Sequence, residues 1–498
     1  MYREKKIYRA ETDMGTGVRK RRIGSWCILA GLFIFFLGML AAFGVGIYND
    51  SEQYISMHIH REPLYPLFLA FFRTLCGEGY LTAAAVMQNI LTAAGIWMFT
   101  EYLAGHFRLR LWEELIVVFL QILPHLMTRY VSVLHIFLEN SVMSEALCIP
   151  LFHFFLYFLL RMLFENRRRD RVFSLGFAFL LSMTRSQMMT TILMWMVLRF
   201  VQILLQTVSE RRTGAGVRRG IVRALSSVMA VVLVFGLRSL TVHVYNYAVT
   251  GYFMGNTYGQ VNTLTNVIYA CDREDGEVFE EGSLEREFFE RFYEEADALG
   301  ANYKYGGDTF TKRAEHLESF HDVLKFQVLE ADLSAYYFSL GKIDYYQQSR
   351  MSDEMAGKML GKLLPVCFGQ WLYDYILLCT YGFIRSVAVV HPLIGWAAPV
   401  FYAGAVGLAL WQIRRRKKSD AACAMGVALL FITANVCATS LTIMCLSRYM
   451  IYGFSFFYTA GFLLVREWMQ AVTLLGASYK MDGRLQKKGK RGQENGIS

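Results

Sequence analysis

Apolar residues in this chain come in long unbroken runs, and polar residues gather in short clusters between them. That is the pattern of helices crossing a lipid bilayer. The runs at 25–48, 81–103, 115–127, 146–163, 223–242, 393–411, 421–445 and 451–464 each predict one crossing. The run from 172 to 205 predicts two short spans turning at Thr184-Arg185-Ser186-Gln187, which makes about ten transmembrane helices. Two further runs read differently. Pro63 to Leu75 is too short to cross and is expected in the interface or dipping partway in, and 363–390 is interrupted by Pro365, Gln370, Asp374 and Arg385.

Between 244 and 365 the pattern changes to helical period in a polar background. Ser283 stands as N-cap before Leu284, Phe288, Phe292, Ala296 and Leu299, with Gly300 as the stop; Ala314, Leu317, Leu324 and Val328 follow, stopped by Gly341. This predicts a small, mostly helical external subdomain. The expected fold class is therefore an all-α, polytopic integral membrane protein.

Composition supports that class. The chain has 498 residues, 55% of them hydrophobic and 15% aromatic, with a mean hydropathy of +0.31, too apolar for a soluble domain. The net charge of +10 could suggest nucleic acid, yet the basic residues form short clusters beside apolar runs: Arg19 to Arg22, Arg167 to Arg169, Arg211-Arg212 with Arg218-Arg219, Arg414 to Lys418, and Lys487 to Arg491. Cytoplasmic loops under the positive-inside rule look like this, and no nucleic acid is needed. Parity then gives cytoplasmic tails at 1–24 and 468–498, membrane modules at 25–243 and 366–467, and an outside location for 244–365 in a plasma-membrane protein. Its acidic block, Asp272 to Asp297, holds twelve acids against three basic residues and reads as a solvated face. The nine cysteines show no CxxC or Cys/His spacing, so neither a zinc site nor a disulfide framework is indicated. Ile28 to Tyr48 is longer than a signal-peptide core and no A-x-A-like site precedes Asp50, which predicts a retained first span.

The candidate chemistry lies in the stretch Tyr48 to Phe68, directly after the first span, which carries Asp50, Glu52, Tyr54, His58, His60, Arg61 and Glu62. The same parity gathers Glu139, Asn140, Glu145, Arg185, Gln187, Arg448 and Tyr449 at the outer rim. Carboxylates beside arginines suit one reaction well: a carboxylate takes the proton of an acceptor hydroxyl while arginines hold a phosphate that leaves with negative charge. Two readings of Arg185 stay open, a phosphate contact or a side chain snorkelling to headgroups. His58 and His60, at i and i+2, sit on different helix faces and read as unliganded. The Met-rich run from Met183 to Met196 reads as packing.

These residues also resemble a known class. Asp50-Ser51-x-x-Tyr54 followed by Pro63-Leu64-Tyr65-Pro66-Leu67-Phe68 looks like the first external loop of the C-type membrane glycosyltransferases, such as the protein O-mannosyltransferases and lipid A aminoarabinose transferases. Met143-Ser144-Glu145-Ala146-Leu147, Met183-Thr184-Arg185-Ser186-Gln187 and Ser447-Arg448-Tyr449 resemble, in order, that class's later helix start, arginine turn and Arg-Tyr pair. The resemblance omits 244–365, and Ser51 here separates acids that are often adjacent. It implies inverting transfer of one sugar from a polyprenyl-phosphate donor to a glycan, lipid or protein acceptor on the outer face. Asp50 would be the catalytic base, with Glu52 assisting. Asp50 would also be the ligand of any divalent metal cofactor (magnesium or manganese), and Tyr54, His60, Arg61, Glu139, Asn140, Glu145, Arg185, Gln187, Arg448 and Tyr449 would bind substrate. Two rivals stay open. A lipid-linked-glycan polymerase or ligase would use Arg313, His316 or His321 in the external region, and a flippase would place charges along a mid-membrane cavity.

Overall fold

The computed structural model describes residues 2–132, 135–210, 215–387, 395, 397–416 and 418–473, with side chains from residue 23 onward. Among these the chain is helical throughout, and its one isolated bridge joins Gly46 to Ser141. The first membrane module comprises α1 (Tyr2–Phe43), α2 (Ser51–Ile55), α3 (Leu64–Cys76), α4 (Tyr80–His106), α5 (Leu111–Tyr130), α6 (Ser144–Glu165), α7 (Arg168–Ser182), α8 (Met189–Glu210) and α9 (Ala215–Thr250). The subdomain contains α10 (Gly259–Ala270), α11 (Leu284–Ala298), α12 (Phe310–Val323), a π-helical turn (Leu324–Leu329), α13 (Glu330–Ser339) and α14 (Tyr345–Val366). Then come α15 (Phe368–Arg385), α16 (Ala398–Arg416), α17 (Asp420–Ser440), α18 (Ser447–Met450) and a last helix over 454–473, α19.

The predicted crossings overlap helices over their described residues, with 393, 394 and 396 outside these, but only seven of the expected ten coincide with stretches fit to span. Seven stretches among the described residues are long and apolar enough to cross a bilayer, or eight if α14 and α15, bent by 100° at Cys367, count as one broken span. This is a helical, membrane-embedded protein. α7 is only 15 residues long, and the predicted turn after it lies at 183–187. α3 and α4 together read as one 43-residue stretch by hydropathy alone, yet the Tyr65 hydroxyl donates to Gln88 Oε1 at 2.8 Å. Two residues 23 apart on one straight helix would be some 35 Å apart, so α3 must fold back antiparallel along the first part of α4. The reversal is made at Gly77, whose φ of +55° favours glycine. At 13 residues and roughly 20 Å, α3 by itself is too short to cross.

The membrane helices share one core, in which α6 is the most enclosed element, packed between α4 and α7. α4 approaches α6 closely at Gly95, where an added Cβ would lie 3.1 Å from the His153 Cβ and 3.3 Å from the Pro150 carbonyl. The subdomain has its own core, built on Phe288, Phe292, Leu324, Leu333 and Met359. The predicted stops hold in backbone terms: Ser283 accepts from the Arg286 N–H at 3.3 Å, and Gly300 and Gly341 have φ of +66° and +126°. The charges that interrupt 363–390 point to this subdomain. Asp374 receives a two-pronged contact from Arg313 at 2.6 and 2.8 Å, and Arg385 makes one to Glu318 at 2.5 and 2.8 Å. The tail from 474 to 498 lies outside the described residues.

Candidate functional site

Four loops are knitted together before any charge is placed. The Gly46 N–H donates to Asn140 O at 3.0 Å and the Val142 N–H to Gly46 O at 2.9 Å, which fixes the first loop against the start of α6. At the loop's far end the Leu64 N–H donates to Met183 O at 2.9 Å, tying it to the turn between α7 and α8. Gln187 and Asn435 both donate to Tyr449 O, at 2.9 and 3.0 Å, bringing in the chain after α17. Within the first loop, Ser51 Oγ accepts the Tyr48 N–H at 2.8 Å, and α2 starts there with Asp50 at its N-cap position and Tyr54 buried on its inner face.

Asp50 is held by two arginines, Arg61 at 2.9 Å on one carboxylate oxygen and Arg448 at 3.1 Å on the other. Arg185 pairs with Glu145 at 2.7 Å and donates to Ser144 Oγ, which also bonds the Tyr54 hydroxyl at 2.8 Å. The Arg185 and Arg448 guanidinium carbons lie 4.9 and 5.0 Å from the centre of the Tyr449 ring. With its side chain 14% exposed and paired to a buried acid, Arg185 does not snorkel to headgroups. Burial alone would raise the Asp50 carboxyl, but Arg61 and Arg448 outweigh it and hold the group below the usual carboxylate range. Beside this cluster opens a cavity of about 460 Å³. Arg61, Arg185, Gln187 and Tyr449 form its polar wall, and Met189, Leu193, Leu441 and Ile443 an apolar one.

Several sequence-predicted residues stand elsewhere. Glu52 is exposed, because two residues along α2 from Asp50 turn a side chain to the opposite face. Glu139 and Asn140 are buried below the rim and line none of the cavities described. Glu139 pairs with His125 at 2.6 Å, its carbonyl accepts from Gln88 and Asn89, and the Asn140 amide donates to Met39 O at 3.1 Å. These two lock α1, α4 and α5 together. His60 is a joint to the subdomain, stacked 4.3 Å from Tyr258 and bonded to Ser349 Oγ at 3.1 Å. Burial, then His58 and nearby cations, push its imidazole down to about 3, so it is neutral.

The sequence reading noted Glu62 without giving it a role, and missed Arg238. Glu62 is 4% exposed, accepts from Ser186 Oγ at 2.8 Å and is ion-paired with Arg238 of α9. A lone arginine inside the apolar 224–250 run was the available signal, since a charge in such a helix needs a buried partner. Both oxygens of Asp50 are committed to arginines, and no three His, Cys, Asp or Glu side chains converge among the described residues. Compared with protein-family models, curated proteins and solved structures, the chain matches none of them.

Proposed function

We propose that this chain is an inverting membrane glycosyltransferase that moves one sugar from a polyprenyl-phosphate donor to a hydroxyl acceptor on the outer face of the cell membrane. The observation that carries the reading is the cluster of Arg61, Arg185 and Arg448 around Asp50, set beside a cavity with one cationic and one apolar wall. A phosphate attached to a hydrocarbon chain asks for those two walls. Arginine forks match phosphate oxygens, and Met189, Leu193, Leu441 and Ile443 offer the first isoprene units a dry surface.

In this reading Asp50 keeps the arginines aligned while the site is empty. An arriving phosphate takes over Arg61 and Arg448, and Asp50, released from two cations, regains proton affinity. The acceptor oxygen attacks the sugar's anomeric carbon from the face opposite the phosphate and hands its proton to Asp50. The carbon–oxygen bond to phosphate breaks, its electron pair leaves with the phosphate, and the arginines stabilise that charge. The polymerase rival loses its residues to structural roles: Arg313 is committed to Asp374, His316 to Gly300 O and the Tyr269 hydroxyl, and His321 is buried against Asp322. The test is transfer of radiolabelled sugar from polyprenyl phosphate in membranes. Arg448→Ala should raise the donor requirement roughly ten- to a hundredfold, as loss of a charge-assisted contact does. Unchanged donor dependence in Arg448→Ala and Arg185→Ala would remove the phosphate assignment.

A further inference from the structure

A second cavity of about 390 Å³ lies against the first, between α9, the 255–259 segment and the first loop. Glu62, Ser186, Asn262, His60 and Met189 line both cavities and so form the partition between them. The far walls are Arg238, Ser239 and His243 of α9 and Asn256, Thr257 and Tyr258.

The chemistry of this second chamber differs from that of the first. Its one arginine, Arg238, is already neutralised by Glu62, and its His60 is an uncharged ring. Acceptors outnumber donors among its stranded polar atoms: Glu62 Oε2 and Asn262 Oδ1 are buried without a hydrogen-bond partner among the described residues, against one donor, Arg238 Nε. His243 Nδ1 lies 2.7 Å from Ser239 O, a contact that requires the proton on Nδ1 and leaves Nε2 as an acceptor. Stranded acceptors of this kind are destabilising until an O–H or N–H reaches them. A phosphate brings only acceptors and meets no free cation here, whereas a polyhydroxylated ring brings donors. Tyr258 adds a second sign of a built site. Its φ of +98° is strained for a bulky residue and is held by Asp353, which accepts the N–H groups of Tyr258, Gln260 and Val261 at 2.9, 2.9 and 3.2 Å.

We propose that this second chamber is the acceptor subsite and takes a neutral, hydroxyl-rich glycan, whose hydroxyls donate to Glu62, Asn262 and His243. The proposal rests on the glycosyltransfer reading and narrows its acceptor to carbohydrate. Glu62 is then a specificity residue, and the subdomain, through Asn256, Tyr258 and Asn262, is what closes the chamber.

The test uses the full chain in lipid nanodiscs and two probes, read separately. Neutral disaccharides (maltose, lactose and N,N′-diacetylchitobiose) are followed by saturation-transfer NMR, and decyl phosphate by its phosphorus resonance. At least one disaccharide should bind the wild type. Ser239→Trp, which fills the chamber from an exposed α9 position, should weaken it roughly tenfold, the scale of one or two lost hydrogen bonds. His243→Leu should do the same, and neither should move decyl phosphate binding. Arg448→Ala should show the reverse pattern. No disaccharide binding, equal binding to Ser239→Trp, or tighter binding of maltose 1-phosphate than of maltose overturns the proposal. Disaccharide binding without decyl phosphate binding keeps the chamber and removes the donor reading instead.

Discussion

Around Asp50, and again along the seam between the subdomain and α15, arginines meet carboxylates, but on different terms. At the seam each pair is closed: Arg313 grips Asp374 with two prongs at 2.6 and 2.8 Å, Arg385 grips Glu318 at 2.5 and 2.8 Å, and both partners of each pair belong to the same joint. Around Asp50 the carboxylate is shared between two arginines and a third arginine pairs with Glu145; Arg61 and Arg185 line the cavity beside them, and Arg448 packs on the ring of Tyr449, which lines it too. Shared pairs can be exchanged for an incoming anion at modest cost; closed ones cannot. Cavity size does not make this distinction. A space of about 620 Å³ lies at the seam beside Arg313 and is lined by Asp272, Asp275 and Asp308, with its arginine already spent on Asp374. A lipid phosphate has nothing to hold there.

The sharpest way to break this contrast is at Asp50. Asp50→Asn keeps the size of the side chain but cannot accept a proton, so sugar transfer in membranes should fall by about a hundred- to ten-thousandfold at matched expression. Retention of more than about a tenth of the activity would end its role as base. At the seam the expected loss is of another kind. Arg313→Gln strands Asp374 in a buried position and should lower stability by about 3–5 kcal/mol, read as a loss of thermal tolerance in detergent, with the donor requirement of the surviving protein unchanged.

A smaller effect is set by pH. The folded Asp50 carboxyl sits below its ordinary value, so the stabilisation it draws from Arg61 and Arg448 is complete above the unfolded value near 3.9 and disappears as pH falls through the lower folded value. The difference in melting temperature between wild type and Asp50→Asn should thus be flat from neutral pH down to about 5 and shrink only below about 4. A difference already shrinking between neutrality and 5 would mean that the arginines do not hold Asp50. The smallest effect belongs to Glu52. Exposed and turned away, Glu52→Gln should leave transfer within about twofold of wild type. A loss matching that of Asp50→Asn would restore it to the site.

What was legible in the sequence followed from local physics. Apolar runs gave the helices, Ser283, Gly300 and Gly341 gave their ends, and parity alone brought Asp50, Glu145, Arg185 and Arg448 to one rim, where the structure has them in mutual contact. What was not legible depended on contacts far apart in the chain. Asp374 and Arg385 looked like defects in an apolar run because their partners, Arg313 and Glu318, lie some sixty residues earlier across a fold. Glu139 and Asn140 carried rim-like polarity, but His125 pairs with the Glu139 carboxylate and Asn89 donates to Asn140 Oδ1 from other helices. Glu62 was passed over for Glu52 because neither its burial nor the reach of Arg238 can be read from spacing.

The central claim is that the arginine-edged cavity beside Asp50 holds a lipid-linked phosphate, and photocrosslinking tests it most directly. A polyprenyl-phosphate analogue carrying a diazirine on its first isoprene unit would be irradiated with the full chain in nanodiscs and the adducts mapped by mass spectrometry. The account predicts labelling of α8 and the 441–443 segment, centred on Met189, Leu193 and Ile443, competed by decyl phosphate and lost in Arg448→Ala. Labelling concentrated at the seam around Asp272, Asp308 and Tyr373, or labelling of α8 that survives Arg448→Ala and excess decyl phosphate, would contradict it.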